Sequence, residues 1–240
     1  EGGKEDLHAV LGQFHMGSDF QVFSEGSFRI PSIYLHDWPD RYIHTNYDLP
    51  ANIDPTKLKR SGFIGAASAY VLANFDASSA ADYLALFKHQ VLLRTATMLE
   101  RSHHLNAADQ ENLKFHHWEY ERGVANSITN FGKSDVKLQN EFHKYIADLE
   151  KTIGKGIPQS GENKVVYIRN EKVKGPISVF GYDYLEDKYG AERTAKLRVF
   201  SYRGLWGSGG EYNYEILNLV NGQRTITQIR NAVAAEFGPI

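Results

Sequence analysis

Hydrophobic positions recur at helical spacing shortly after Asp54. Asp54 followed by Pro55 is a typical cap and first position of a helix. The small and apolar residues that then repeat every three or four positions are Phe63, Ile64, Ala67, Tyr70, Val71 and Phe75. Since this period matches the turn of an α-helix, the pattern predicts a helix over residues 55–75.

The same period continues in three further stretches, and it predicts helices over about 79–103, 107–130 and 134–153. The expected caps are Ser78 or Ser79, Asn106 and Ser134. One apolar stripe consists of Leu84, Phe87, Val91 and Met98, and a second of Leu113, Trp118 and Val124. Such stripes predict buried helix faces, and therefore a helical layer.

Shorter apolar runs flank the helical part and predict strands. They are "IPSIYLH" at 30–36, "KVVYIRN" at 164–170 and "GPISVFGY" at 175–182. The Gly, Pro and Ser content of "GKGIPQSG" at 154–161 indicates a linker. Near the end, "YLEDKYG" predicts a short helix closed by Gly190.

Residues 214–238 predict two helices joined by a tight turn at Asn221 and Gly222, with Thr225 capping the second. This outline resembles a helix-turn-helix. The second helix offers few groups that read a DNA groove, so a partial winged-helix-like end that serves packing or interaction is the better interpretation.

Charge and cysteine content narrow the possible chemistry. The formal net charge is −2, which gives no electrostatic case for binding nucleic acid. The chain has no cysteine, so a metal site must use His, Asp or Glu. No apolar run approaches the roughly 20 residues that span a bilayer, so we expect no membrane span.

Adjacent histidines occur twice, as His103-His104 and His116-His117. On a helix, neighbouring side chains point about 100° apart, so neither pair is expected to grip one ion. His117 and Glu121 have the spacing of one helix face and could bind a metal opportunistically, although a solvated helix face is the favoured interpretation.

The richest motifs lie between Gly17 and Arg60. They are "GSDF" at 17–20 and "GSFRIPSIYLHDWPDRYIHTNYDLPANIDPTKLKR" at 26–60. Their order and spacing resemble the C-terminal part of the catalytic domain in the di-zinc aminopeptidase-like family, which includes leucyl-type aminopeptidases and glutamate carboxypeptidase. That family shows a Ser-Asp-His turn, a Gly-Ile-Pro-Ala strand, Trp-Pro-Asp, and Tyr-His-Thr followed by Asp.

The resemblance implies that His44 is the last ligand of a two-zinc site. It also implies that Asp48 orients the His44 ring or supports its loop, and that Ser18 and Asp19 form a turn in the wall of the site. Trp38 is expected to pack beneath the ligand loop. Without the resemblance, a lone histidine near an aspartate is more often a hydrogen-bonded loop residue, and Ser-Asp is ordinary turn chemistry.

Two departures from the family pattern bear on catalysis. Phe20 stands where the family has the histidine of Ser-Asp-His, and Ile43 stands where a tyrosine often precedes the ligand, with Tyr42 one place off. The His-x-Asp and Glu-Glu motifs that carry the other ligands and the base are not found in the first seventeen residues, although His8 and His15 are present. The chain alone is therefore expected to be inactive.

Together these features predict the end of an α/β catalytic domain (an α/β/α sandwich) at 1–76, a helical region at 77–155, and a small α+β region at 156–240. The expected function is that of the C-terminal portion of an exported, secreted or periplasmic zinc exopeptidase. Its partners would be a peptide substrate and either a missing N-terminal half or a second copy of the chain. The alternative is a peptidase-like binding module without catalysis, as in transferrin-receptor relatives.

Overall fold

A computed structural model of the chain describes residues 9–12, 14–131, 136–179 and 182–240. The helices described are α1 Phe20–Ser24, α2 Pro55–Ala73, α3 Ala77–Ser102, α4 Ala107–Ser127, α5 Val136–Ile153, α6 Tyr184–Tyr189, α7 Ala191–Thr194, α8 Gly209–Leu219 and α9 Ile226–Phe237. Two short strands, β1 Ser178–Val179 and β2 Tyr182–Asp183, form an antiparallel pair in which Ser178 lies opposite Asp183.

The four helices predicted between 55 and 153 are confirmed, and local hydrogen bonds explain where they begin. The Asp54 carboxylate accepts from the amides of Thr56 and Lys57 at 2.7 and 3.3 Å, and so satisfies two amides that lack a partner within α2. Asn106 likewise accepts from the amide of Asp109 at 3.0 Å.

The two serine caps have different outcomes. Helix α3 begins at Ala77, so Ser78 lies inside it, and the Asp76 carboxylate accepts from the Ser78 amide at 2.9 Å. Asp76 therefore has the role predicted for Ser78 or Ser79. The predicted cap Ser134 lies outside the described residues.

Helices α3, α4 and α5 pack around the first of two main cores. Trp118, Ala125, Leu138, Phe142 and Ile146 are buried there, and the partly buried Phe87 packs against them. Phe87 meets Phe142 edge to face, with ring centroids 4.3 Å apart, a favoured arrangement of two aromatic rings. The predicted burial of Trp118, Val91 and Met98 is confirmed, whereas Phe87 is only partly buried.

The second core lies between α8 and α9, where Tyr212, Ile229, Val233 and Phe237 are buried. A smaller cluster of Met98, Leu113 and Ala235 joins α3 and α4 to α9. The three-part division of the chain stays a prediction, and this cluster shows that its second and third parts share an apolar contact.

The predicted helix pair at the end of the chain is confirmed as α8 and α9. In the turn between them, the Asn221 side chain accepts from the amides of Gln223 and Arg224 at 3.0 and 2.9 Å. Gly222 has a φ of 76°, a backbone conformation that glycine adopts without steric cost. Thr225 caps α9 as predicted, since its hydroxyl accepts from the Gln228 amide at 3.2 Å.

The predicted α/β sandwich is wrong: the described chain is mainly helical, and its sheet has two strands. Residues 30–36 lie in irregular backbone and residues 164–170 contribute only an isolated bridge, Val166 with Thr225. A strand needs a neighbour to satisfy its backbone amides and carbonyls, and no described segment pairs with 30–36 along its length. A short apolar run alone does not supply that neighbour.

Helices α3, α4, α5, α8 and α9, with the cores between them, form what we call the helical body. The N-terminal part is attached to it through α1. The Tyr214 hydroxyl of α8 donates to the Gln21 carbonyl at 2.6 Å, and the Gly26 amide donates to the Asn218 side chain at 2.9 Å. The buried Glu25 carboxylate forms an ion pair with Arg169. Residues 14–28 are therefore anchored on α8.

Residues 30–73 form a different environment, in which α2 has no buried residue. This segment, which we call the exposed arm, carries large hydrophobic side chains at its surface: Ile30, Ile33, Leu35, Trp38, Tyr47, Leu49, Ile53, Leu58, Phe63, Tyr70 and Leu72. Among the described helices of the chain, none is both long and apolar enough to span a bilayer.

Candidate functional site

The loop that carries His44 is a series of tight turns. The Asp40 carboxylate accepts from the amides of Tyr42 and Ile43 at 2.8 and 3.2 Å. The Thr45 hydroxyl donates to the Tyr42 carbonyl at 2.6 Å and accepts from the Tyr47 amide at 3.1 Å. Asp40 and Thr45 therefore fix the backbone on both sides of His44 by the usual chemistry of Asp and Thr in turns.

His44 has a φ of 60°, in the left-handed region that non-glycine residues occupy infrequently. Its side chain is exposed. A histidine held at the tip of an ordered turn has the accessibility that a metal ligand or a contact residue needs. The loop can present one imidazole, and it does so at the surface of the exposed arm.

The residues expected near His44 are spread along the loop. Asp48 is exposed, and its backbone amide donates to the Thr45 carbonyl at 3.2 Å. Tyr42 is half-buried, and its carbonyl is the acceptor of the Thr45 hydroxyl. Trp38 is 68% exposed, so its predicted packing beneath the ligand loop is wrong.

Ser18 and Asp19 lie at the start of α1. The Ser18 carbonyl accepts from the Gln21 amide at 3.2 Å, and the Asp19 carbonyl accepts from the Val22 amide at 2.9 Å. The Asp19 side chain makes no capping hydrogen bond to α1. These contacts are those of a turn that starts a helix. Within the described residues, no group of three or more His, Asp or Glu side chains could hold a metal ion.

Phe20, which stands where the resembled family has a histidine, packs among aromatic rings. Its ring stacks on Tyr34 with centroids 5.1 Å apart and planes 14° apart, and it also contacts Phe14 at 5.5 Å. Phe14 in turn stacks on Tyr214 of α8 at 4.8 Å. The phenyl ring at position 20 therefore joins the segment around Tyr34 to the helical body, and imidazole chemistry is absent at that position.

Two histidines that the sequence analysis did not pair lie in contact beside Tyr34. The Nε2 atoms of His15 and His36 are 2.9 Å apart, and the two rings are almost perpendicular, at 89°. They are 21 positions apart in the chain, so no local spacing predicts their contact. We call this pair the His15–His36 pair.

The helical body contains polar groups that the sequence analysis placed in solvent. Glu121 is fully buried and accepts two hydrogen bonds from Arg94, each of 2.7 Å. This contact with Glu121 raises the pKa of Arg94. The predicted solvated face for His117 and Glu121 is therefore wrong.

The adjacent histidines on α4 are half-buried. His117 Nε2 lies 3.0 Å from the Thr95 hydroxyl, and burial, followed by the charge of Arg94, lowers the pKa of His117 to about 4. Burial and the charge of Arg224 likewise lower the pKa of His116 to about 4. His103 and His104 follow the end of α3 in an exposed turn instead of lying on the predicted helix.

Comparisons with known proteins add no relative: no family model, curated protein or solved structure matches the chain.

Proposed function

We propose that the chain is the C-terminal portion of a zinc-dependent exopeptidase of the aminopeptidase-like type. In the complete protein, His44 ligates one of two zinc ions, and a metal-activated water hydrolyses the peptide bond. The observation that carries the proposal is the ordered series of motifs from Gly17 to Arg60. His44 stands in this series where the resembled family has the histidine of Tyr-His-Thr, and it is presented at the tip of a tight loop.

The exposed arm supports the same proposal. A soluble domain rarely leaves a long row of large apolar side chains in water unless another surface covers them. Helix α2 carries Phe63 and Tyr70 at 73% and 71% exposure, and its Lys57 forms an ion pair with Asp37 of the segment that leads into the loop of His44. A polypeptide that packed on this arm would also approach His44, as the contributor of the remaining zinc ligands must.

The proposal assigns no catalytic group to this chain. Hydrolysis at neutral pH needs a bridging carboxylate, further ligands and a base within about 2.6–3.2 Å of the water proton. We expect the purified 240-residue chain with added Zn²⁺ to release no amino acid from aminoacyl or dipeptide substrates. Turnover that a chelator abolishes and fresh zinc restores would place a complete active site within the chain and overturn this assignment.

The ligand role of His44 is tested in a gene product that carries the upstream His-x-Asp and Glu-Glu motifs. We expect His44→Ala to lower the zinc content and the activity of this gene product together, relative to the unsubstituted protein. His104→Ala is the matched control because His104 is also exposed and lies in a turn. Unchanged zinc content in His44→Ala would remove His44 from the site.

A binding module without catalysis is the second candidate. It is favoured by Phe20, whose ring packs against Tyr34 where the family has a histidine. A gene product that lacks the upstream ligand motifs, and whose zinc content does not change on His44→Ala, would favour this candidate over the exopeptidase.

A further inference from the structure

The His15–His36 pair has the arrangement of two ligands that await a metal ion. In a tetrahedral zinc site with Zn–N bonds of about 2.0–2.1 Å, the two ligating nitrogens lie about 3.3 Å apart. The two Nε2 atoms are already 2.9 Å apart, so a small opening of the rings would admit an ion. His36 is exposed, which leaves the pair open to solvent.

The hydrogen bonds of His15 set the tautomer that a ligand requires. His15 Nδ1 lies 3.1 Å from the Met16 carbonyl oxygen, which can only accept, so Nδ1 carries the proton. The Nε2 atom of His15 therefore presents its lone pair toward His36. In metal sites, a ligating imidazole commonly donates a hydrogen bond from its other ring nitrogen to a carbonyl, and this bond orients the ring.

Aromatic contacts hold both rings in place. The Tyr34 ring stacks on His36 with centroids 4.9 Å apart, and it meets His15 edge-on at 5.4 Å. Tyr34 is itself stacked on Phe20. This packing lowers the entropy lost when the rings are fixed around an ion, because the imidazoles are already oriented.

We propose that His15 and His36 bind one divalent transition-metal ion of the borderline class, such as Zn²⁺, Ni²⁺ or Cu²⁺, through their Nε2 atoms. Imidazole suits these metals, whereas Ca²⁺ and Mg²⁺ prefer oxygen ligands. On binding, the proton of His36 Nε2 moves to Nδ1 of the same ring, and both Nε2 lone pairs reach the metal. The other coordination positions hold water or an incoming ligand.

The site is separate from the zinc role proposed for His44, because both of its ligands come from this chain and neither is His44. Metal binding by the purified chain therefore tests the pair, whereas the loss of zinc and activity on His44→Ala in a longer gene product tests His44. A negative result for the His15–His36 pair does not contradict the proposed role of His44, and a negative result for His44 does not contradict the pair.

The experiment titrates the metal-free chain with Zn²⁺ by calorimetry and follows the histidine nitrogens by ¹⁵N NMR. We expect one ion per chain and a change in the Nε2 signals of His15 and His36. His15→Phe and His36→Phe keep an aromatic ring against Tyr34 but remove a ligand, and each should weaken binding at least tenfold. The matched controls His44→Phe and His104→Phe should bind as the wild type does.

Three results would overturn the proposal. They are unchanged Nε2 signals of both histidines at saturating Zn²⁺, unchanged affinity in His36→Phe, and an equal loss of affinity in His44→Phe. The NMR measurement uses the wild-type chain, so it decides the matter even where a variant folds poorly.

Discussion

Helices α2 and α5 arise from the same sequence pattern but differ in how much of their surface is buried. Both have apolar residues at helical spacing, and both form helices. In α5, Leu138, Phe142 and Ile146 are buried against α3 and α4, whereas α2 buries none of its residues. The comparison shows that periodicity determines the helix, and that burial requires a second apolar face within reach.

The helical body and the exposed arm should differ most in the effect that loss of a tryptophan has on the free energy of unfolding. Trp118 is fully buried, and its indole Nε1 donates to the Gly154 carbonyl at 2.8 Å. Trp118→Ala should lower the free energy of unfolding by about 3–5 kcal/mol, because it removes a large core side chain and leaves a carbonyl without its donor. Urea denaturation at constant temperature measures the loss.

Trp38→Ala is the matched control, since Trp38 is 68% exposed in the exposed arm. It should change the free energy of unfolding by less than about 0.5 kcal/mol. Equal losses in the two variants would mean that the arm is packed in solution as tightly as the helical body, and the comparison would fail.

The second effect concerns the buried ion pair of the helical body. Glu121→Gln leaves the Arg94 guanidinium without its carboxylate partner, and Arg94 keeps some access to solvent. We expect a loss of about 2–3 kcal/mol, toward the lower end for breaking a buried pair. Glu119→Gln removes an exposed partner of Arg122 on the same helix and should cost less than about 0.5 kcal/mol. Similar values for both would show that solvent screens the Arg94 pair.

The capping hydrogen bonds of the helices could be predicted from the sequence, whereas the side chains that each helix meets on its neighbours could not. The caps at Asp54, Asn106 and Thr225 depend on residues within three positions, so local sequence determines them. The partner of Glu121 is Arg94, 27 positions away on another helix, and no local spacing predicts it.

The same limit explains the errors in the candidate site. The segment 30–36 is a short apolar run of the kind found in strands, but strand formation depends on a pairing segment elsewhere. The contact between His15 and His36 arises because Tyr34 stacks on Phe20, a long-range contact of an irregular loop. The local turns around His44, with Asp40 and Thr45, are the part that residue types in sequence could have indicated.

A smaller effect on stability is expected from pH at His117 of the helical body. The pKa of His117 falls from 6.5 to about 4 on folding, so between these values the unfolded chain binds a proton that the folded chain does not. Stability from this group is therefore complete above about pH 6.5 and is lost as the pH falls toward 4. The full shift corresponds to about 3 kcal/mol, and solvent screening reduces it because the His117 ring is only partly buried. His117→Gln removes the titration, so its deficit relative to wild type should shrink by about 1–2 kcal/mol over that range.

Urea denaturation at several pH values measures this deficit. His104→Gln is the control, because His104 is exposed in the turn after α3. A deficit of His117→Gln that stays constant from pH 7 to pH 4.5 would contradict the burial of the His117 ring between α3 and α4.

The smallest expected change in stability is at Phe63 of α2, which is 73% exposed. Phe63→Ser removes an apolar ring that touches mainly water, so the free energy of unfolding should stay within about 0.5 kcal/mol of the wild type. The effect should appear in association instead, because apolar area on the exposed arm favours contact with a second surface. Sedimentation velocity over a range of concentrations should show less self-association for Phe63→Ser than for the wild type.

Phe142→Ser is the control on the buried face of α5. It should lower the free energy of unfolding of the helical body, because it places a hydroxyl in the apolar core. If Phe63→Ser instead lost more than about 1.5 kcal/mol, α2 would have to pack on the rest of the chain in solution, and the difference between α2 and α5 would disappear.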